Sequence, residues 1–223
     1  MSVPVDKPYH RDIDRIRALS RLPPAPRPGA RTLDLFTGDA GSLDPAAPAC
    51  VPCRIDADAG GPLPFDAASF DYAVLHGTLD ALSASDGQAA AARRDALLTD
   101  VFRVLAPGGV VAGTAANESL VRRLLPAARR GARGAGLSLR TAERALRSLG
   151  LVEVRVFTLV PNAQSPLRLV EVHDEVARAF FAAEVRRQRT SLPWWGFLVR
   201  DLLVRTGLYA DLQPSLFFWG RRP

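Results

Sequence analysis

Apolar residues in this chain fall into short blocks whose spacing switches between the period of strands and that of helices. Thr32-Leu33-Asp34-Leu35-Phe36 and Ser69-Phe70-Asp71-Tyr72-Ala73-Val74-Leu75 are brief apolar runs near glycine- or proline-rich stretches, and both predict strands. So do Val110 to Thr114, Ser215 to Trp219 and the shorter Cys53-Arg54-Ile55-Asp56. Leu151 to Val160 alternates through Val152, Val154 and Val156, the period of a half-buried strand. Helical spacing governs Asp12–Leu22, with Ile13, Ile16, Leu19 and Leu22, and Ala89–Leu105, with Leu97, Leu98, Val101, Val104 and Leu105. Further helices are expected over Glu118–Arg133 (kinked near Pro126), Thr141–Leu149 (stopped by Gly150), Asp174–Arg189 and Pro193–Leu208.

Strands that alternate with helices argue for an α/β sheet covered on both faces, and the late pair Leu151–Val160 and Ser215–Trp219 argues for an antiparallel edge. Residues 1–30 form an N-terminal helix and a connector in which Pro23, Pro24, Pro26 and Pro28 forbid helix. Composition adds little. With 48% hydrophobic and 23% charged residues among 223, the chain is globular and is read as a single domain over 1–223. The net charge of +6 rests on arginine, since Lys7 is the only lysine, and the arginines lack the interleaved aromatics of a strand-stacking surface, so no nucleic-acid partner is expected. Met1–Arg11 has no apolar core and no run reaches 18 apolar residues, so a cytoplasmic protein without a transmembrane segment is expected.

Phe102-Arg103-Val104-Leu105-Ala106-Pro107-Gly108-Gly109-Val110-Val111 joins a helix end, a turn and a strand in ten residues. Pro107 cannot continue a helix, and Gly108 and Gly109 are expected to supply the positive φ of a C-cap and sharp turn. This stretch resembles the "RVL-x-PGG" of class I S-adenosylmethionine-dependent methyltransferases. Leu63 to Leu82, "LPFDAASFDYAVLHGTLDAL", is similar to the run through the fourth strand of the same family. The resemblance implies a doubly wound Rossmann-like sheet closed by an antiparallel C-terminal hairpin. It also implies a helical lid-like insertion at 161–213 between the strands of that hairpin.

Relatives follow strand one with Asp-x-Gly-x-Gly-x-Gly, whose glycines let the backbone approach the cofactor. Here the stretch reads Asp34-Leu35-Phe36-Thr37-Gly38-Asp39-Ala40-Gly41, with Phe36 at the first glycine position and Ala40 at the third. By resemblance Asp34, Gly38, Asp39 and Gly41 are the cofactor-loop residues. Asp58 matches the acid that reaches the adenine, yet it follows Asp34 by only 24 positions. A helix, a strand and a second helix need about 35 residues. The fold is therefore expected in reduced form, with strand two and its flanking helices missing, six main strands in all, and the strand containing Ile55 directly beside that of Leu33–Leu35. The acid that relatives use to grip the ribose hydroxyls goes with strand two, unless Asp44 or Asp56 replaces it. Binding of S-adenosylmethionine is expected to be weaker by about ten- to a hundredfold, the worth of one carboxylate hydrogen bond.

His76, at the carboxyl end of strand four in family terms, is the best-placed base, with Asp80 one helical turn on; the alternative is that His76 only caps the strand. His173 suits a polar helix start. Cys50-Val51-Pro52-Cys53 has redox-pair or half-metal-site spacing, but no further ligands stand at suitable positions and no metal site is assigned. Trp194, Trp195, Phe197, Leu198, Leu202 and Leu203 give the Pro193–Leu208 helix a broad apolar face, suited to packing on the sheet, to a lid or to a shallow membrane contact. The resemblance implies an enzyme that methylates a small or lipid-like molecule. The alternatives are a relative that has lost methyl transfer and acts as a partner subunit in a homo- or hetero-oligomer, or a cofactor-independent cyclase.

Overall fold

The computed structural model describes residues 23–37, 49–56, 61–82, 87–117, 137–160, 168–171, 194–206 and 215–223, with Ala179, Ala182, Ala183, Tyr209 and Gln213. The expected helices Asp12–Leu22 and Glu118–Arg133, and most of Asp174–Arg189, lie outside the described residues. The chain forms β1 (Thr32–Phe36), β2 (Cys50–Arg54), β3 (Phe70–His76), α1 (Thr78–Leu82), α2 (Gly87–Val104) and β4 (Leu105–Ala116). It continues through α3 (Leu139–Ser148), β5 (Val152–Val160), β6 (Arg168–Glu171), α4 (Trp194–Arg205) and β7 (Ser215–Arg221).

All seven strands join one mixed sheet in the order β2-β1-β3-β4-β7-β5-β6. β1 pairs in parallel with β2 and β3, and β3 in parallel with β4. β7 runs antiparallel between β4 and β5, and β6 antiparallel to β5. This is a mixed α/β sheet with antiparallel closing strands, consistent with the Rossmann-like sheet that the resemblance implies. The strand beside β1 is β2, and Ile55, one residue past its end, donates its N–H to the Phe36 carbonyl at 2.8 Å.

Several expectations need correction. β2 begins three residues earlier than expected, and Pro52 lies within it, tolerated because β2 is an edge strand whose outer side needs no donor. Among the described residues the sheet has seven strands and not six. The seventh, β6, arises inside the segment expected to be helical, because Val170 is buried on one face while Leu169 packs on the other. β6 and not β5 is therefore the edge, and β5 is covered on both sides, which is why Phe157 and Thr158 are buried as well as Val156. The regular alternation of β5 also fails at its start. Glu153 adopts φ +53° at an irregularity between Val152 and Arg155, which turns Val152 outward while Val154 and Val156 stay buried.

The main core lies on one face, where Leu33, Leu35, Leu75, Val111, Leu216 and Phe218 meet the helices. α1 contributes Leu79 and Leu82, α2 contributes Leu97, Leu98, Val101 and Val104, and α3 contributes Leu139, Ala142 and Leu146. Ser138 caps α3, its Oγ accepting from the Thr141 N–H at 3.2 Å, and Gly150 ends it at φ +87°. A smaller cluster of Tyr72, Val110, Ala112, Phe157 and Trp219 occupies the opposite face.

The two sequence stretches that carry the resemblance are bonded to each other. Arg103 donates to the carbonyls of Phe65 (2.7 Å) and Leu63 (3.0 Å) and pairs with Asp100 at 2.5 Å, while Asp100 accepts from the Leu63 N–H. Burial raises the Asp100 pKa, but the Arg103 hydrogen bond, the Leu63 N–H and the Arg103 charge outweigh it and hold the carboxyl below its usual value. The turn that follows departs from expectation in one respect. Only Gly108 takes positive φ (+77°); Gly109 is required because a Cβ there would stand 2.8 Å from the Ala106 carbonyl oxygen. Arg222 closes this turn, pairing its backbone with Gly108 and Gly109 at 2.9 and 2.8 Å. Its guanidinium donates to the carbonyls of Phe102, Arg103 and Leu105 and lies 4.8 Å from the Phe102 ring centroid.

Candidate functional site

β1, β2, β3 and β4 are mutually parallel, so Phe36, Arg54, His76 and Ala116 all stand at one edge of the sheet. In open α/β sheets this carboxyl edge is where ligands bind. Register sets the order along it. Phe36 is aligned with Arg54, and His76 with Thr114. The segment after Val160 leaves from the same edge and the chain re-enters there at Ser215, since Leu159 is aligned with Ser215 and Ser215 with Ala116.

The tip of β3 is held from both neighbouring strands. Gly77 bends the chain at φ +66°, which an L-residue adopts only with strain, and its N–H reaches both the carbonyl and the Oγ1 of Thr114 at 3.3 Å. Thr78, fully buried, donates its Oγ1–H to the Leu35 carbonyl of β1 at 2.7 Å. Asp80 accepts the Ala116 N–H at the end of β4, at 2.7 Å. Gly77, Thr78 and Asp80 therefore fix the end of His76's strand to β1 and to β4. Asn117, wholly buried just past β4, donates its Nδ2–H to the Gln213 carbonyl at 2.9 Å, tying the end of β4 to the end of the 161–213 segment.

Among the residues expected from sequence, Asp34 lies in β1 with 1% of its surface exposed, two positions before the strand end. His76 is the last residue of β3, and Asp80 sits in the first turn of α1. Gly38, Asp39, Gly41 and Asp58 lie outside the described residues. Sequence reasoning missed Thr78, Thr114 and Asn117. Each is a polar residue at the carboxyl end of an apolar run or just past a glycine, a pattern that marks strand ends facing a site. Asp56 stands two residues past β2, next to the end of β1 through the Ile55 to Phe36 hydrogen bond.

The cysteines belong to β2 itself. Residues three apart in a strand point to opposite faces, so Cys50 and Cys53 do not converge on one ligand or one disulfide. Burial pushes the Cys53 thiol up, away from the thiolate that redox chemistry needs. α4 also differs from expectation. Trp194 is 75% exposed, and Leu198 and Leu202 are exposed as well, while Val204 is buried in the main core and Leu203 is packed against it. No described helix is long and apolar enough to cross a membrane.

No family model matches the chain, and no curated protein matches it. Solved structures do resemble it. One is a SAM-dependent methyltransferase from Thermotoga maritima, 14% identical over 96% of this chain and 89% of that one, with a TM-score of 0.48. Another is a chain from a complex between a methyltransferase and a methyltransferase activator of Haloferax volcanii, 17% identical over 96% and 90%, with a TM-score of 0.47. A third is the [4+2]-cyclase SpnF, 17% identical over 87% and 75%, with a TM-score of 0.43. Each score is below 0.5, so the methyltransferase-like fold rests on the strand order and on the bonded "LPF" and "RVL-x-PGG" stretches.

Proposed function

We propose that this chain is a methyltransferase-like enzyme that binds S-adenosylmethionine weakly at the carboxyl edge of β1 to β3 and acts on a small or lipid-like molecule. One observation carries the reading. The end of β1, the turn after β3 and both ends of the 161–213 segment meet at a single edge, with the His76–Asp80 tip tied to β1 and β4. In this reading the part of 161–213 that follows β6 serves as the lid over that edge.

The residues fit the cofactor in part. By the resemblance, Asp34 within β1 and Gly38, Asp39 and Gly41 after it would hold the methionine and ribose end, and Asp58 would serve the adenine. β2 lies directly beside β1, joined by the thirteen residues Thr37 to Ala49, room for a single crossover; we read this as a shortened cofactor half. Asp56, at the tip of β2, takes the place of the missing ribose acid. The cofactor, when bound, supplies an electrophilic methyl group. His76 accepts the proton of the attacking group, and Asp80 is a positioning residue that holds the tip of β3 through α1.

A second reading, a descendant without methyl transfer, is favoured by the residues aligned beside the glycine loop. Phe36 stands where relatives have glycine, and its register partner is Arg54, a cation near the place of a cationic sulfonium. Titration of three proteins with S-adenosylhomocysteine separates the readings. Phe36→Gly is expected to tighten binding, and Asp56→Ala to weaken it by about ten- to a hundredfold. If neither change moves the binding constant, the site does not lie at the tips of β1 and β2.

A further inference from the structure

We propose that the carboxyl edge takes a planar aromatic molecule, held against Phe217 on the sheet face opposite the main core. The inference deepens the ligand site proposed above and rests on it. Register places the parts. His76 is aligned with Thr114, Thr114 with Phe217 and Phe217 with Phe157, and Phe36 follows the Leu35–Leu75 pair, so these positions form one row across β1, β3, β4, β7 and β5. Leu33 and Leu35 belong to the main core, so Phe36 points to the other face, where Phe217 packs against the cluster of Tyr72, Phe157 and Trp219.

Burial on this face falls toward the carboxyl edge. Tyr72, Ala112 and Trp219 are buried and Val74 is half-buried, whereas one row further on Phe36, Thr114 and Phe217 are all half-buried. The aromatic cluster is therefore closed below and opens at the edge where α/β sheets bind ligands. The rings select the occupant. Phe157 and Phe217 stand 6.0 Å apart between centroids with their planes at 45°, so Phe217 is steadied by a tilted neighbour while its half-buried side can meet a third ring. Phe36 and Phe217 are three strand steps apart, about 14 Å, which leaves room for two fused rings between them. An acyl chain would fill the same trough, but it lacks the quadrupole that an edge-to-face contact rewards, so the class is aromatic.

The test is calorimetric titration of the full chain with naphthol and with its fully saturated counterpart, decahydronaphthol. The expected result is saturable naphthol binding, about threefold to tenfold tighter than that of the counterpart, the worth of a ring-on-ring contact. Phe217→Leu keeps an apolar side chain and should reduce the preference to less than about twofold, whereas Phe217→Tyr keeps the ring and should keep the preference. Trp194→Ala, on the exposed side of α4, should leave it unchanged. S-adenosylhomocysteine is titrated in parallel. A naphthol preference without S-adenosylhomocysteine binding supports the aromatic subsite and overturns the cofactor reading alone, while S-adenosylhomocysteine binding without a naphthol preference overturns this inference alone. A preference that survives Phe217→Leu, or one that disappears in Trp194→Ala, would also overturn it.

Discussion

The carboxylate of Asp80 accepts the backbone N–H of Ala116 at 2.7 Å, joining the first turn of α1 to the last residue of β4. Between these two residues lies the tip of β3 with His76 and Gly77, and Thr78 ties the same turn to β1. The helix that follows β3 is only five residues long, so its position depends on these bonds more than on its own hydrogen-bonded length. Asp80→Ala should cost about 1 to 3 kcal/mol, the range for leaving the Ala116 N–H without its charged acceptor. Asp80→Asn keeps an acceptor and should cost less. Denaturant unfolding of the three proteins checks the order.

Gly77→Ala tests the bend itself. Nothing lies within 4 Å of the added Cβ, so the cost is backbone strain alone, about 1 to 2 kcal/mol for a left-handed alanine. Thermal melting reads the loss. An unchanged melt would mean that the turn after β3 relaxes freely and does not hold His76.

The Asp100 carboxyl gives a pH signature. Its folded pKa is held below the usual carboxylate range, so its contribution to stability is present above the unfolded pKa and is lost as pH falls through the folded pKa. Asp100→Asn should therefore be less stable than the unmodified chain at pH 7, and the gap should close as pH falls below the usual carboxylate range. Urea midpoints at pH 7, 4 and 2.5 check this. A gap that is constant with pH would assign the effect to packing.

Arg222→Ala removes donors to three carbonyls where α2 passes into β4 and the cation over Phe102. A loss of about 2 to 3 kcal/mol is expected from the hydrogen bonds and the ring contact together. The backbone bonds of residue 222 to Gly108 and Gly109 survive this substitution, so the Pro107–Gly109 turn should keep its resistance to proteolysis under native conditions.

Much of the fold was legible because its signals are local. Pro107-Gly108-Gly109, Gly150 and the apolar blocks of β1, β3 and α2 each carry their own reason for starting or stopping an element. What sequence could not give came from pairing. The burial of Phe157 depends on β6 covering β5, and β6 is four residues with no turn signature of its own. Cys50 and Cys53 read as a motif only until β2 is seen to begin at Cys50 and send them to opposite faces. The places of His76 at a strand end and Asp80 in the next helix were legible from motif spacing, but the hydrogen bond of Asp80 to Ala116 spans 36 positions and has no sequence trace. The same holds for Thr78 with Leu35 and Asn117 with Gln213.

Calorimetric titration of the unmodified chain with S-adenosylmethionine and S-adenosylhomocysteine tests the central claim most directly. The account predicts saturable one-to-one binding of both, with a dissociation constant above about 1 µM. Absence of any saturable heat at millimolar ligand would contradict the proposed cofactor site. Submicromolar binding would contradict the claim that the Phe36 loop and the single crossover to β2 weaken it.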